Sequence, residues 1–222
     1  MTETAAAFVF DLDGTLADTP ALITELIVGV MEQFDCRPTP EAVHATVGRP
    51  LEASLASLLG TTLEDPRTAA AVACYREQYR KQVLTWGPRL LFPGVAPGLA
   101  RLRAAGYPLG IATSKILDSA RALLEVTGIL DCFDVLACHD LVARGKPDPE
   151  MGLLALDRLG AAAAGSWYVG DTATDMQMAR AAGMHALGVS YGVDDAPRLI
   201  EGGAERVVSG FAEVVGVLLG EL

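Results

Sequence analysis

Basic residues are scarce in this chain of 222 residues, in which 17 Lys and Arg stand against 28 Asp and Glu and leave a formal net charge of −11. Nonspecific binding to nucleic acid needs a basic surface that displaces counterions from the phosphates. Binding to anionic lipid likewise needs clustered basic residues. The composition therefore argues against nucleic acid and membranes as partners.

Long apolar runs and paired cysteines are also missing. No run approaches the roughly 20 apolar residues that span a bilayer, and the first seven residues, Met-Thr-Glu-Thr-Ala-Ala-Ala, lack the basic start of a signal peptide. The four cysteines show no C-x-x-C spacing, so we expect reduced thiols rather than disulfides or a zinc site. These absences predict a cytoplasmic protein. Its 51% hydrophobic residues suffice for a buried core.

Short β-prone runs alternate with helical patterns over most of the chain. The predicted strands cover residues 7–10, 109–113, 134–137, 167–169, 186–190 and 206–208. The predicted helices between and after them cover residues 96–105, 117–126, 150–159, 174–182 and 196–201. Such alternation, with short glycine-bearing turns, is typical of right-handed β-α-β units. We therefore predict an α/β fold with a Rossmann-like parallel sheet and helices on both of its faces.

Residues 17–88 interrupt this alternation, because they carry helical patterns only. The predicted helices there cover residues 21–34, 41–47, 51–59 and 67–83, with prolines between them. An insert directly after the first strand would lie above the carboxyl end of that strand, where open parallel sheets bind ligands. We predict an α/β core domain of residues 1–16 and 89–222, and an all-helical cap domain of residues 17–88. The alternative is that these helices only pack on one face of the sheet.

Four polar motifs occur in order, each after a separate predicted strand. They are Asp-Leu-Asp-Gly-Thr at 11–15, Thr-Ser-Lys at 113–115, Gly-Lys-Pro-Asp-Pro at 145–149 and Val-Gly-Asp-Thr-Ala-Thr-Asp at 169–175. Each motif alone has a structural explanation: an acidic turn, a helix N-cap, a surface lysine, or an aspartate-rich helix start. Together they place carboxylates, a hydroxyl and a lysine at one edge of the sheet.

The residue types in these motifs suit the transfer of a phosphoryl group. Asp11 and Asp13 repel each other unless a cation or a shared proton relieves them. Asp171 and Asp175 lie one helical turn apart and can point at the same spot. Mg²⁺ takes one or two carboxylates together with waters and substrate phosphate. The expected chemistry is phosphoryl transfer through an aspartyl-phosphate.

With these motifs in this order, the chain resembles the haloacid dehalogenase-like hydrolase superfamily over nearly its whole length. The resemblance implies that Asp11 is the nucleophile, and that Asp13 first protonates the leaving oxygen and then activates water. It also implies that the Asp11 carboxylate, the Asp13 backbone carbonyl and Asp171 hold Mg²⁺. Asp175 is expected at the same metal site, where it would orient either a metal-bound water or Lys146.

The resemblance further implies a set of residues that bind the substrate. Thr113, the Ser114 backbone and Lys146 would hold the phosphoryl oxygens. The Thr-Ser-Lys motif resembles the Thr-Asn-Lys of phosphoglycolate phosphatases, from which Ser114 departs. In the predicted cap, Arg49 lies where related proteins reach the substrate, and its guanidinium is a candidate to bind a carboxylate or a second phosphate. An exposed surface arginine is the alternative. Further candidates are Arg76, Tyr79, Arg80 and Trp86, although helix packing explains the aromatic residues better.

We therefore expect a Mg²⁺-dependent phosphatase that hydrolyses a small phosphorylated metabolite, preferably one like phosphoglycolate, and that is a monomer or a homodimer. Asp13 argues against a dehalogenase, since such members of the superfamily lack this acid. A phosphomutase of the β-phosphoglucomutase type shares Asp13, but its fourth motif usually reads Glu-Asp-Ser and has a glycine where Asp175 stands. A non-catalytic ligand-binding protein on the same fold is the other alternative.

Overall fold

A six-stranded parallel sheet forms the centre of the computed structural model, which describes residues 6–222. The strands are β1 (Phe8–Phe10), β2 (Leu109–Thr113), β3 (Val135–Cys138), β4 (Trp167–Gly170), β5 (His185–Val189) and β6 (Arg206–Val208). Their order across the sheet is β3-β2-β1-β4-β5-β6, and every neighbouring pair is parallel. The order reverses at β1, and ligands bind at the carboxyl ends of strands beside such a reversal.

A helical insertion separates β1 from β2 in sequence. It consists of α1 (Pro20–Gln33), α2 (Pro40–His44), α3 (Leu51–Leu59) and α4 (Pro66–Gln82), and a short 3₁₀ segment, Leu84–Leu90, leads out of it. The entering and leaving chains pair with each other, because Asp18 N donates to Leu90 O and Phe92 N donates to Leu16 O. These crossings lie beside the predicted boundaries at residues 17 and 88. The division of the chain into two domains stays a prediction.

The remaining helices cover both faces of the sheet. They are α5 (Val95–Ala104), α6 (Leu117–Thr127), α7 (Glu150–Leu159), α8 (Ala173–Ala181), α9 (Ala196–Gly202) and α10 (Phe211–Leu218). Successive side chains of a strand point to opposite faces. Accordingly, Phe8 and Phe10 belong to one buried cluster and Val9 to another. The predicted α/β class with helices on both faces is confirmed.

Helix α10 has no counterpart among the predicted helices. Its sequence is apolar apart from Glu213, and a short apolar run of this kind fits either a buried helix or a buried strand. Phe211, Val214 and Val215 are buried, and a Cβ added at Gly98 of α5 would lie 2.7 Å from the Phe211 ring. Helix α10 therefore packs against α5.

Two further expectations from the sequence concern the cysteines and the length of the apolar helices. All four cysteines are free thiols, as predicted. Within residues 6–222, no helix combines the length and the apolar character that crossing a bilayer requires.

Candidate active site

The turn after β1 places Asp11 at the carboxyl end of the central strand. Asp11 N donates to Val169 O of β4 at 2.9 Å, and the side chain is almost fully buried. Gly14 follows with φ +80°, and a Cβ at this position would lie 2.1 Å from Asp171 Oδ2. Only glycine lets the turn come so close. Thr15 then donates its hydroxyl to Asp171 Oδ1 at 2.7 Å, which ties the first motif to the fourth.

Lys146 lies at the centre of the site, with its side chain only 3% exposed. Its Nζ is 2.8 Å from Asp11 Oδ1 and 2.7 Å from Asp175 Oδ1. Burial alone would lower the pKa of Lys146, but the carboxylates of Asp11 and Asp175 outweigh it and raise this pKa above its usual range. Lys146 is therefore a fixed ammonium at neutral pH.

Three buried carboxylates, those of Asp11, Asp171 and Asp175, form a cluster, and two of them, Asp11 and Asp175, contact this ammonium. One oxygen from each of Asp11, Asp171 and Asp175 lies within 4.8 Å of the other two. Burial raises the pKa of Asp11 to about 6, against the opposing effect of Lys146. Burial, and then repulsion from Asp175 and Asp11, raises the pKa of Asp171 well above its usual range. One ammonium does not balance three carboxylates, so the cluster has the chemistry of a site for a divalent cation.

The three carboxylates differ in how many hydrogen bonds they already accept, and therefore in which oxygens remain free to bind a cation. Within residues 6–222, Asp11 Oδ2 accepts no hydrogen bond, and each oxygen of Asp171 accepts one, from Thr15 Oγ1 and from Val193 N. Asp175 is saturated. Its Oδ2 accepts from the Thr172 amide and hydroxyl in a capping box, and its Oδ1 accepts from Lys146. The residues present thus fit a hard cation at Asp11 and Asp171, whereas the bonding of Asp175 favours the alternative in which it orients Lys146.

The loop after β5 closes the side of the site on which Asp171 lies. Val193 N donates to Asp171 Oδ2 at 3.0 Å, and Asp194 accepts from the Ala173 amide at the start of α8. A Cβ at Gly192 would lie 2.4 Å both from Asp171 Cβ and from Gly14 O. Sequence reasoning missed this loop. The sequence did contain one indication of this loop, because the loop follows a predicted strand and therefore lies at the same edge of the sheet as the four motifs.

Asp13 is held by two residues to which the sequence analysis gave no role. Its Oδ2 lies 3.0 Å from Lys115 Nζ, and its Oδ1 accepts the Thr19 hydroxyl at 2.5 Å. Lys115 also lies over the ring of Tyr79, with Nζ 4.6 Å from the ring centroid. Burial lowers the pKa of Lys115, but Asp13 more than offsets this effect and the pKa rises above its usual range. Both partners of Asp13 stand near motifs: Lys115 ends Thr-Ser-Lys, and Thr19 precedes α1.

A small cavity of about 80 Å³ lies above these residues, between the sheet edge and the helical insertion. From the core, its lining includes Asp11, Asp13, Thr113, Ser114 and Lys115; from the insertion, it includes Thr46, Gly48, Arg49 and Tyr75. Two of the predicted phosphoryl-binding residues, Thr113 and Ser114, therefore line the cavity together with Asp11. Lys146 is not part of this lining and contacts Asp11 at 2.8 Å. Arg49 reaches the cavity from the loop between α2 and α3.

Comparison with known proteins agrees with this geometry. The model of the haloacid dehalogenase-like hydrolase family matches residues 8–189, which include all four motifs. The chain belongs to this family.

Two curated relatives of this hydrolase are named as phosphatases. "Probable phosphatase IndB" of Dickeya dadantii is 46% identical over 94% of this chain and 91% of its own length. A phosphoglycolate phosphatase of Cupriavidus necator is 36% identical over 84% of this chain and 81% of its own length. Among solved structures, CbbY from Rhodobacter sphaeroides, in complex with xylulose-1,5-bisphosphate, is 26% identical. Its TM-score is 0.78, and the match covers 93% of this chain and 95% of that one.

Proposed function

We propose that this hydrolase is a Mg²⁺-dependent phosphatase that cleaves a small phosphorylated metabolite through an aspartyl-phosphate on Asp11. The family and the names of the relatives support the phosphatase class. The observation that carries the proposal is the state of Asp11: one of its oxygens is bound by Lys146 and the other accepts no hydrogen bond within the described residues. A buried carboxylate with one free oxygen, facing a cavity, is suited to nucleophilic attack.

In the first step, the free oxygen of Asp11 attacks phosphorus and the ester P–O bond breaks. Asp13, which lines the same cavity, enters this step as a carboxylic acid and gives its proton to the leaving oxygen; the carboxylate that remains is the form that pairs with Lys115. Thr113, the Ser114 backbone and Lys146 bind the phosphoryl oxygens, and Lys146 offsets the charge that develops on them. In the second step, Asp13 takes a proton from water, the resulting hydroxide attacks phosphorus, and the bond to Asp11 breaks to release inorganic phosphate.

The Asp11 and Asp171 carboxylates and the Asp13 backbone carbonyl would hold Mg²⁺. When bound, the ion supplies positive charge that polarises the phosphoryl group. Asp175 contributes indirectly, since it fixes the Lys146 ammonium at 2.7 Å. Its other oxygen is occupied by Thr172.

The preferred substrate class is a small phosphorylated acid such as 2-phosphoglycolate, acted on in the cytoplasm by a monomer or homodimer. Arg49 lines the cavity from the insertion and would bind an anionic group on the leaving portion of the substrate. The relatives point to the same chemistry, because phosphoglycolate carries a carboxylate and xylulose-1,5-bisphosphate carries a second phosphate. The predicted helical cap of residues 17–88 would select among such substrates.

The decisive experiment measures phosphate release from a panel of phosphomonoesters with Mg²⁺, for the native chain and for Asp11→Asn. We expect Asp11→Asn to lose at least about 10³-fold in kcat, as for other enzymes that lose their nucleophile. Asp157→Asn is the matched control, because Asp157 is exposed on α7 and remote from the motifs. Full activity of Asp11→Asn would overturn the mechanism. Formation of glucose 6-phosphate from β-glucose 1-phosphate, without phosphate release, would instead establish a mutase.

A further inference from the structure

The cavity of about 80 Å³ next to Asp11 is called the catalytic cavity below. A second cavity, of about 310 Å³, lies beside it, between α4 and the start of α6. We call it the side cavity. The two cavities share three lining residues, Leu51, Tyr75 and Lys115, so that they adjoin at the Lys115 ammonium. A leaving group that outgrows the 80 Å³ catalytic cavity could therefore continue into the side cavity.

Two residues that line the side cavity each carry a polar atom that is buried without a hydrogen-bond partner among residues 6–222. These atoms are the Tyr79 hydroxyl and Arg76 Nε, and the Tyr79 residue is only 5% exposed. Buried polar groups are almost always hydrogen-bonded, because leaving them unpaired costs the free energy of their desolvation. Arg76 Nε can only donate, and burial raises the pKa of Tyr79 to about 12, so that its hydroxyl keeps a proton to donate. Two residues of the cavity lining thus carry donors that lack acceptors among the described residues.

Most of the charged residues that line the side cavity are cationic, which favours a negatively charged ligand as the group that supplies hydrogen-bond acceptors. Three lining residues are cations, namely Arg76, Arg80 and Lys115, and Asp118 is the single acid among the residues that line the cavity. Arg76 is paired with Glu52 at 2.5 Å, and Lys115 is paired with Asp13. Arg80 forms no salt bridge with any residue that the structure describes.

A larger cavity of about 560 Å³ adjoins the other side of the catalytic cavity, through Arg49 and Thr172. Two acids, Glu41 and Asp194, line it, and Arg198 is already paired with Asp194 at 3.3 Å. None of the unpartnered buried atoms of the described chain belongs to its lining. Arg49 also lines this larger cavity and forms no salt bridge with the residues that the structure describes, so the unpartnered buried donors are what distinguish the side cavity.

We propose that the side cavity binds an anionic group, a carboxylate or a second phosphate, on the leaving portion of the substrate, through Arg76, Tyr79 and Arg80. This inference rests on the proposed phosphatase function and specifies its substrate class: Arg49 would bind the anionic group of a short substrate, and the side cavity that of a longer one. The chain would then prefer phosphomonoesters whose anionic end reaches past Lys115 over neutral esters of the same length.

The test uses three matched series of linear phosphate esters with two to six carbons. The phosphorylated aldonic acids end in a carboxylate, the alditol bisphosphates end in a second phosphate, and the alditol phosphates end in a neutral hydroxyl. We expect at least one length at which the native chain shows a kcat/KM about 10-fold higher for an anionic ester than for its neutral partner, a ratio typical of one charge-assisted hydrogen bond. Tyr79→Phe and Arg80→Gln should lower that ratio at least about 5-fold, which is the size of a single lost hydrogen bond.

Arg101→Gln is the control, because Arg101 is an exposed arginine of α5 that pairs with Glu221, and its ratio should match that of the native chain. Equal kcat/KM for anionic and neutral esters at every length would overturn the inference, as would variants that lower the kcat/KM of both kinds of ester equally. If no ester is hydrolysed, the proposed function fails. Calorimetric dissociation constants for the same series then decide the inference by the same ratios.

Discussion

Lys115 Nζ lies 3.0 Å from Asp13 Oδ2, and this ion pair links the proposed acid and base to the helical insertion. Lys115 also contacts the ring of Tyr79 in α4, so one ammonium touches both parts of the molecule. Thr19, which directly precedes α1, binds the other oxygen of Asp13. The orientation of Asp13 therefore depends on where the insertion lies relative to the sheet.

Lys115→Met should lower kcat more than it raises KM, because it frees the Asp13 carboxylate to leave its productive orientation. Misplacing a reacting group by about 1 Å can cost roughly 10²-fold in rate, so we expect a loss of about 10- to 100-fold. Steady-state kinetics measure the split between kcat and KM. Lys81→Met is the matched control, because Lys81 is an exposed lysine of α4 that pairs with Glu77. A change in KM alone would show that Lys115 serves substrate binding rather than Asp13.

Gly14→Ala should destabilise the fold and disturb the metal site together. The added Cβ would lie 2.1 Å from Asp171 Oδ2, in addition to the strain of φ +80°. We expect a loss of about 2–3 kcal/mol in the free energy of unfolding, since a clash is added to backbone strain. Gly106→Ala isolates the strain, because Gly106 has φ +87° and nothing within 4 Å of the added Cβ. Urea denaturation compares the two variants, and an equal loss in both would contradict the close approach at Gly14.

Much of the site was predictable because the ends of parallel strands meet at one edge of the sheet. Asp11 and Asp171 directly follow β1 and β4, Thr113 ends β2, and the sheet order places β1 between β2 and β4. The ends of strands can be recognised from strand periodicity and turn residues, which are local features of the chain, so one sequence is enough to locate them.

Other contacts could not be predicted, because they depend on how separate segments fold back on one another. The approach of Gly192 to Asp171 depends on the path of the loop after β5. The pairing of Lys115 with Asp13 depends on β1 and β2 being neighbours in the sheet although the insertion separates them in sequence. Helix α10 was missed for a different reason: a short, predominantly apolar run can form either a buried helix or a buried strand.

Mg²⁺ should raise the melting temperature of the native chain, because it binds a folded site where buried carboxylates repel each other. A ligand present at 100 times its dissociation constant stabilises a fold by about 2.7 kcal/mol. Asp171→Asn should remove most of this Mg²⁺-dependent increase, while Asp157→Asn should keep it. Thermal unfolding with EDTA and with added Mg²⁺ measures the effect without any substrate. An increase that persists in Asp171→Asn would contradict the assignment of this carboxylate to the metal.

Tyr168→Phe should lower both stability and turnover, because the Tyr168 hydroxyl lies fully buried between two acceptors. It is 2.8 Å from Ala112 O, next to Thr113 at the end of β2, and 3.1 Å from Asp175 Oδ1. Removing the hydroxyl leaves a buried carbonyl unpaired, which costs about 1–3 kcal/mol. It also loosens Asp175, which holds Lys146, so kcat should fall several-fold.

Tyr107→Phe is the matched control for this substitution, because Tyr107 stacks on Phe8 and its hydroxyl makes no hydrogen bond within the described residues. We expect its free energy of unfolding to change by less than about 0.5 kcal/mol, as for other neutral substitutions. Denaturant unfolding and phosphate release measure stability and turnover separately for both variants. If Tyr168→Phe lost stability but kept its full kcat, the Tyr168–Asp175–Lys146 chain would be structural support without influence on the reaction.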